Sequence, residues 1–110
     1  MKIGIPVVED KGKDSEVAEH FGRAKYYLIY DSEEDELNSV ECESHPEGTC
    51  LPIELLAEES VDAIYAFAMG QRALEMLKRR DIEAKTGKFK TVKEVIEGMS
   101  SLDDLESSCR

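Results

Sequence analysis

Residues 61–67 read Val61-Asp62-Ala63-Ile64-Tyr65-Ala66-Phe67, an almost continuous apolar run. Such a run, ending at Met69-Gly70, predicts a strand covered on both faces rather than one with a wet side. The sequence around it has the period of a helix. Ile53, Leu56 and Ala57 precede it at helical spacing, with Thr49 as the expected cap and Pro52 in the first turn, where a missing amide proton costs little. Ala73, Met76 and Leu77 follow and predict a second helix ending near Arg80. Ile82-Glu83-Ala84 predicts a short strand. Thr91-Val92-Lys93-Glu94 is a capping box, opening a helix whose stripe is Val92, Val95, Ile96 and Met99.

Upstream the period is two. Ile3, Ile5 and Val7 alternate across residues 2–7. Lys25-Tyr26-Tyr27-Leu28-Ile29-Tyr30 is aromatic and β-branched enough for a second strand, and a third is expected over 37–43, with Val40 and Cys42 on one face. Between them the charge run Asp31-Ser32-Glu33-Glu34-Asp35-Glu36 predicts a solvated hairpin turn. The order βββαβαβα predicts an α/β domain with a mixed sheet and crossover helices packed on it. Residues 100–110 form a polar tail anchored only by Leu102 and Leu105, expected to end as a short helix or to fray.

At 110 residues the chain is expected to be one domain, residues 1–110. No apolar run approaches the ~20 residues that span a bilayer. The start is too short, and too soon interrupted by Pro6, Glu9 and Asp10, for a signal peptide, so a cytoplasmic location is expected. A net charge of −11, from 25 acids against 14 bases, argues against nucleic acid and anionic membranes as partners. The densest basic cluster, Lys78-Arg79-Arg80, sits at a predicted helix end, where cations favour the dipole. Three cysteines (Cys42, Cys50 and Cys109) without a CxxC pair argue against a disulfide framework and towards free thiols or ligands.

Three loop segments hold nearly all the ligand-type side chains: Glu19-His20-Phe21-Gly22-Arg23, His45-Pro46-Glu47-Gly48-Thr49-Cys50, and Phe67-Ala68-Met69-Gly70-Gln71-Arg72. Loops at the carboxyl ends of strands in an open α/β sheet border a crevice, the usual seat of ligands. Cys50 stands near an expected helix start, where the dipole favours the metal-binding thiolate. Imidazole with thiolate suits iron, iron–sulfur species, copper or zinc. Each residue also has a plainer reading. His20 either binds a ligand or packs beside Phe21 and hydrogen-bonds a carbonyl. His45 is either a ligand or an exposed turn residue. Cys50 and Cys42 fit as small buried hydrophobes, and Met69 as packing. Gly70 either permits a tight turn or opens its amides to an anion, while Arg23 and Arg72 are surface charges or clamps for an acidic ligand. Nucleophilic catalysis has little support, since no GxSxG-type signature is present.

His20-Phe21-Gly22-Arg23-Ala24, His45 with Gly48 and Cys50, Val61-Asp62, Met69-Gly70 with Arg72-Ala73-Leu74, and Thr91-Val92 occur in an order that resembles the dinitrogenase iron–molybdenum cofactor-binding family. The resemblance spans nearly the whole chain. It implies a ribonuclease-H-like three-layer α/β domain, with a five-stranded mixed sheet flanked by helices. It further implies that His20, His45 and Cys50 are metal ligands and that Arg23, Met69, Gly70 and Arg72 complete the cofactor-binding cleft. The implied cargo is an iron–sulfur cluster or the iron–molybdenum cofactor, and the implied protein partners are cluster-assembly proteins. The chain departs from the family in the loop Ala66-Phe67-Ala68-Met69-Gly70-Gln71, which lacks a proline after Met-Gly.

The leading expectation is thus a non-catalytic binding and carrier domain. A nuclease on the ribonuclease-H-like topology would need carboxylates on the first and central strands. Here the first strand carries none and Asp62 stands alone. A ligand-free interaction or regulatory module is the remaining alternative, with a partner surface on Tyr26, Tyr27 and Tyr30.

Overall fold

The structure, a computed structural model, describes residues 1–42, 44–45, 48–49 and 52–105, with backbone alone at 23, 44–45 and 48–49. Its centre is β1, Lys2–Val7, whose residues from Ile3 onward are buried. On one side β1 pairs antiparallel with β2, Tyr26–Asp31, so that Ile3 faces Tyr30 and Val7 faces Tyr26. β2 continues antiparallel into β3, Glu36–Glu41. After a short antiparallel pair, β4 (Ser44–His45) with β5 (Gly48–Thr49), comes α1, Pro52–Glu58. The next strand, β6, Ala63–Tyr65, runs parallel to β1 on its other side. Helix α2, Gln71–Arg79, then leads to β7, Glu83–Thr86, which runs parallel to β6. Helix α3, Val92–Glu97, precedes a last strand, β8, Asp103–Asp104.

The main sheet among the described residues has six strands in the order β3-β2-β1-β6-β7-β8, not the expected five. The extra strand replaces the expected terminal helix. Asp104 sits opposite Lys85, whose ammonium donates to its carboxylate at 2.5 Å, and Leu102 and Leu105 pack against the core on opposite faces of the sheet. Thr49 is likewise not a helix cap: it pairs with Ser44 in β5, and α1 opens at Pro52. The central strand is shorter than its apolar run, although Val61 and Ala66 remain buried at its ends.

Each face of the sheet carries its own core. Ile3, Ile5, Val7, Leu28 and Tyr65 pack with Val92 and Val95 of α3. Tyr27, Ile29 and Ile64 pack on the other face with Ile53 and Leu56 of α1 and Leu74 and Leu77 of α2. A Cβ on Gly4 would lie 3.2 Å from both methyl carbons of Leu56, so glycine there lets α1 lie directly on β1. Tyr27 is wholly buried and Tyr30 is 8 % exposed, so the surface proposed for Tyr26, Tyr27 and Tyr30 does not form. Aromatic rings on a strand covered from both sides are core. The Arg80 guanidinium pairs with the Glu54 carboxylate, tying the end of α2 to α1. No helix among the described residues is long and apolar enough to cross a membrane.

Candidate functional site

The strand register gathers the loops at one end of the sheet. Val7, the last residue of β1, pairs with Tyr26, the first of β2, and Tyr26 pairs with Glu41, the last of β3. β6 runs parallel to β1, so its exit into Ala66 and Phe67 lies at the same end. The segments after β1, before β2, after β3 and after β6 therefore converge. A cavity of about 700 Å3 opens there, lined by Val7, Val17, His20, Lys25, Phe67 and Lys90 among others.

His20 is the one predicted ligand whose side chain is described. It precedes the helical turn Phe21–Arg23, is exposed at the cavity lip, and makes no hydrogen bond to any described residue. The plainer reading of His20 thus fails, because its neighbour takes the structural role instead. Phe21 is 4 % exposed and stacks edge-on to Tyr27 at 5.4 Å between ring centres. The Tyr27 hydroxyl donates to the Phe21 carbonyl, and Cys42 N–H donates to the Lys25 carbonyl at 2.6 Å. These bonds fix both ends of the turn and leave the imidazole open. Burial pushes the Tyr27 hydroxyl far above its ordinary pKa, with Ala24's backbone offsetting part of the rise.

The other predicted residues divide. Met69 is 3 % exposed in the core beneath α1 and α2, so it packs and does not line this cavity; Phe67 forms the wall instead. The two residues belong to opposite faces of the sheet, and the cavity opens on the α3 face. Gly70 caps α2 with φ −70° and ψ 160°, angles open to any residue, so a tight turn is not why glycine stands there. A Cβ on it would meet nothing within 4 Å, and the first turn of α2 holds no acid. Arg72 is exposed on that same turn. His45 ends β4 opposite Gly48, but its side chain, like that of Arg23, lies outside the described residues, as does Cys50 altogether. Cys42 is core, as expected, but it is disulfide-bonded rather than a free thiol, to a partner outside the described residues. Among the described residues no three His, Cys, Asp or Glu side chains converge on a point where a metal ion could sit.

Two cavity residues escaped the sequence reading. Lys25 stands at a strand start and Lys90 just before the Thr91 cap, and neither position marks a cavity residue in the sequence. Only the antiparallel bridge of Glu16 with Thr91, which brings the 15–18 segment against the α3 entrance, reveals that Lys90 borders the cavity. Asp62, the lone acid considered for nuclease chemistry, accepts the Lys2 N–H at 2.9 Å at the opposite end of the sheet.

By class this is a small mixed α/β domain with a crevice at its strand ends. The chain belongs to the dinitrogenase iron-molybdenum cofactor family, which matches residues 1–102. It is similar to the NMR structure of a NifB-like protein of the DUF35 family from Thermotoga, at 28% identity and a TM-score of 0.80, covering 99% of this chain and 97% of that one. It is also similar to the crystal structure of the protein PH0822, at 26% identity and a TM-score of 0.78, covering 94% and 96%. The apo form of the orange protein from Desulfovibrio gigas shares the fold alone, at 16% identity and a TM-score of 0.82, covering 99% and 96%. No curated protein matches the chain.

Proposed function

We propose that this domain is a non-catalytic binding and carrier module for an iron–sulfur or iron–molybdenum-type cluster, working in the cytoplasm with cluster-assembly proteins. The observation that carries the reading is the cavity at the carboxyl end of β1, with the His20 imidazole at its lip making no hydrogen bond to any described residue, in a chain of this family. The described polar groups at the cavity are the His20 imidazole, the Glu16 and Glu19 carboxylates and the Lys25 and Lys90 ammoniums, beside the apolar Val7, Val17 and Phe67. That chemistry suits a preassembled cluster held whole, since imidazole and thiolate take iron and soft metals while apolar walls exclude water. His20, His45 and Cys50 are the ligands in this reading. The strand order β3-β2-β1-β6-β7 further supports a ribonuclease-H-like topology, with β8 added at one edge.

The test is anaerobic loading of the reduced protein with iron and sulfide, followed by absorbance, metal analysis and thermal unfolding. Charge-transfer bands with bound iron are expected in the parent. His20→Ala and Cys50→Ala are expected to lose most of the iron, and His20→Ala, at an exposed position, should unfold within a few degrees of the parent, as for a ~0.5 kcal/mol surface change. Variants that load as well as the parent would show the ligand assignment to be wrong.

A further inference from the structure

We infer that Cys42 and Cys50 form a reversible disulfide that gates the ligand set: the oxidised chain withholds the Cys50 thiolate, and reduction releases it. The inference rests on the carrier reading, in which Cys50 is a ligand, and adds the control of that site.

Cys42 is disulfide-bonded and 9 % exposed, in the same core as Phe21 and Tyr27. Its N–H bond to the Lys25 carbonyl holds it beside the start of β2. The chain has three cysteines, so a partner within the chain is Cys50 or Cys109. The hairpin selects Cys50. Cys42 stands two residues before Ser44, Cys50 stands one residue after Thr49, and Ser44 pairs with Thr49. Antiparallel partners lie ~5 Å apart, so residues one and two steps out on the same side suit the about 4.4–6.8 Å between Cα atoms that a disulfide needs. Cys109 belongs to the wrong edge. It follows Leu105, whose N–H donates to the Ala84 carbonyl just past β8, and β8 and β3 are the two outer strands of the sheet. Five spacings of ~4.8 Å separate those edges by roughly 24 Å. Four residues beyond Leu105 extend at most ~14 Å, and the ~7 Å reach of a disulfide does not close the rest. β8 also runs antiparallel to β7, away from the end where Cys42 lies.

Reduction adds two electrons and two protons across the S–S bond. An external dithiol gives them up and closes to its own disulfide, while Cys42 and Cys50 each emerge as a thiol. Oxidation by a disulfide of the same class runs the exchange backwards. The two thiols then differ in use. Cys42 stays in the core, where a free cysteine serves as a small hydrophobe. Cys50 regains the thiolate that soft metals take, and a sulfur held in a disulfide has none to give. His45 falls between the two cysteines, so the same bond closes a loop around a second ligand of the carrier reading. In a reducing compartment a disulfide of this kind forms transiently, the behaviour of a sensor rather than of a structural staple.

The experiment equilibrates the full chain with oxidised dithiothreitol, a cyclic disulfide that leaves no lasting mixed adduct, and blocks free thiols with iodoacetamide. Cleavage after Glu43 and Glu47 and mass spectrometry should then find Cys42-Glu43 joined to the fragment that begins at Gly48, with Cys109 alkylated. Reduced dithiothreitol should free all three thiols. Cobalt(II) alone is next titrated anaerobically into unblocked oxidised and reduced protein after desalting. A thiolate-to-cobalt charge-transfer band is expected in the reduced parent, with at least about tenfold weaker binding in the oxidised one, the scale on which metal sites lose affinity with a supporting group. Cys42→Ala, its fold checked by thermal unfolding, should bind cobalt like the reduced parent after either treatment. Cys109→Ser should keep the parent's redox dependence. Three free thiols in the oxidised parent, or a link to Cys109, would overturn the inference. Equal cobalt binding in both redox states would overturn the gate and leave the carrier. A Cys42–Cys50 link with no cobalt bound in either state would overturn the gate by removing the ligand role of Cys50, and would count against the carrier as well.

Discussion

At the scale of single residues, the site depends on side chains that never touch a ligand. Tyr27 is the clearest, because its ring and hydroxyl both serve the Phe21 segment that carries His20. Tyr27→Phe keeps the ring but leaves the Phe21 carbonyl without its donor. It should lower unfolding free energy by about 1–3 kcal/mol, read from urea midpoints at constant slope. The same substitution tests the titration. Burial raises the Tyr27 pKa above its ordinary 10.0, so the folded state keeps a proton that the unfolded chain releases near that pH. Stability is therefore intact below about pH 10 and falls as pH rises beyond it. Tyr65 adds to the same slope, raised chiefly by burial and partly offset by its bond with the Phe89 backbone. In Tyr27→Phe the alkaline fall should be shallower; an unchanged slope would remove Tyr27 as its source.

At the scale of elements, packing distance decides where the helices lie. Gly4→Ala pushes a methyl group against Leu56 at 3.2 Å, with Leu56 wholly buried, and should destabilise by about 1–3 kcal/mol in thermal or urea unfolding. A neutral result would mean that α1 can shift on the sheet. The elements were legible wherever periodicity and capping agree. Ile3, Ile5 and Val7 announce β1, and the Thr91 cap announces α3, although the Glu94 carboxylate accepts from the Thr91 hydroxyl at 3.1 Å instead of reaching back to its amide. β8 was not legible, because two aspartates have no strand propensity and their pairing depends on Lys85, distant in sequence. The site was legible in part. Ligand-type loop residues such as His20 stand out by type, whereas Met69 and Phe67 are both apolar, and only the sheet decides which face each takes. Lys90 carried no signal, since nothing local distinguishes a cavity lysine from a solvated one.

At the scale of the whole molecule, the fold keeps its stabilising machinery apart from the cavity end. Both cores run along the sheet faces, while Asp62 and Lys2 tie the strands at one end and the cavity opens at the other. In the proposed carrier this separation would let loading and release proceed without disturbing the core. The most direct test of the central claim is metal and sulfide analysis of the reduced protein after anaerobic loading and desalting, with iron plus sulfide and with a preassembled molybdenum-containing cluster offered in parallel. The carrier account predicts that at least one is retained at a fixed whole-number stoichiometry and is released when His20, His45 and Cys50 are replaced by alanine together. Retention of neither cluster, or retention unchanged in the triple variant, would contradict it.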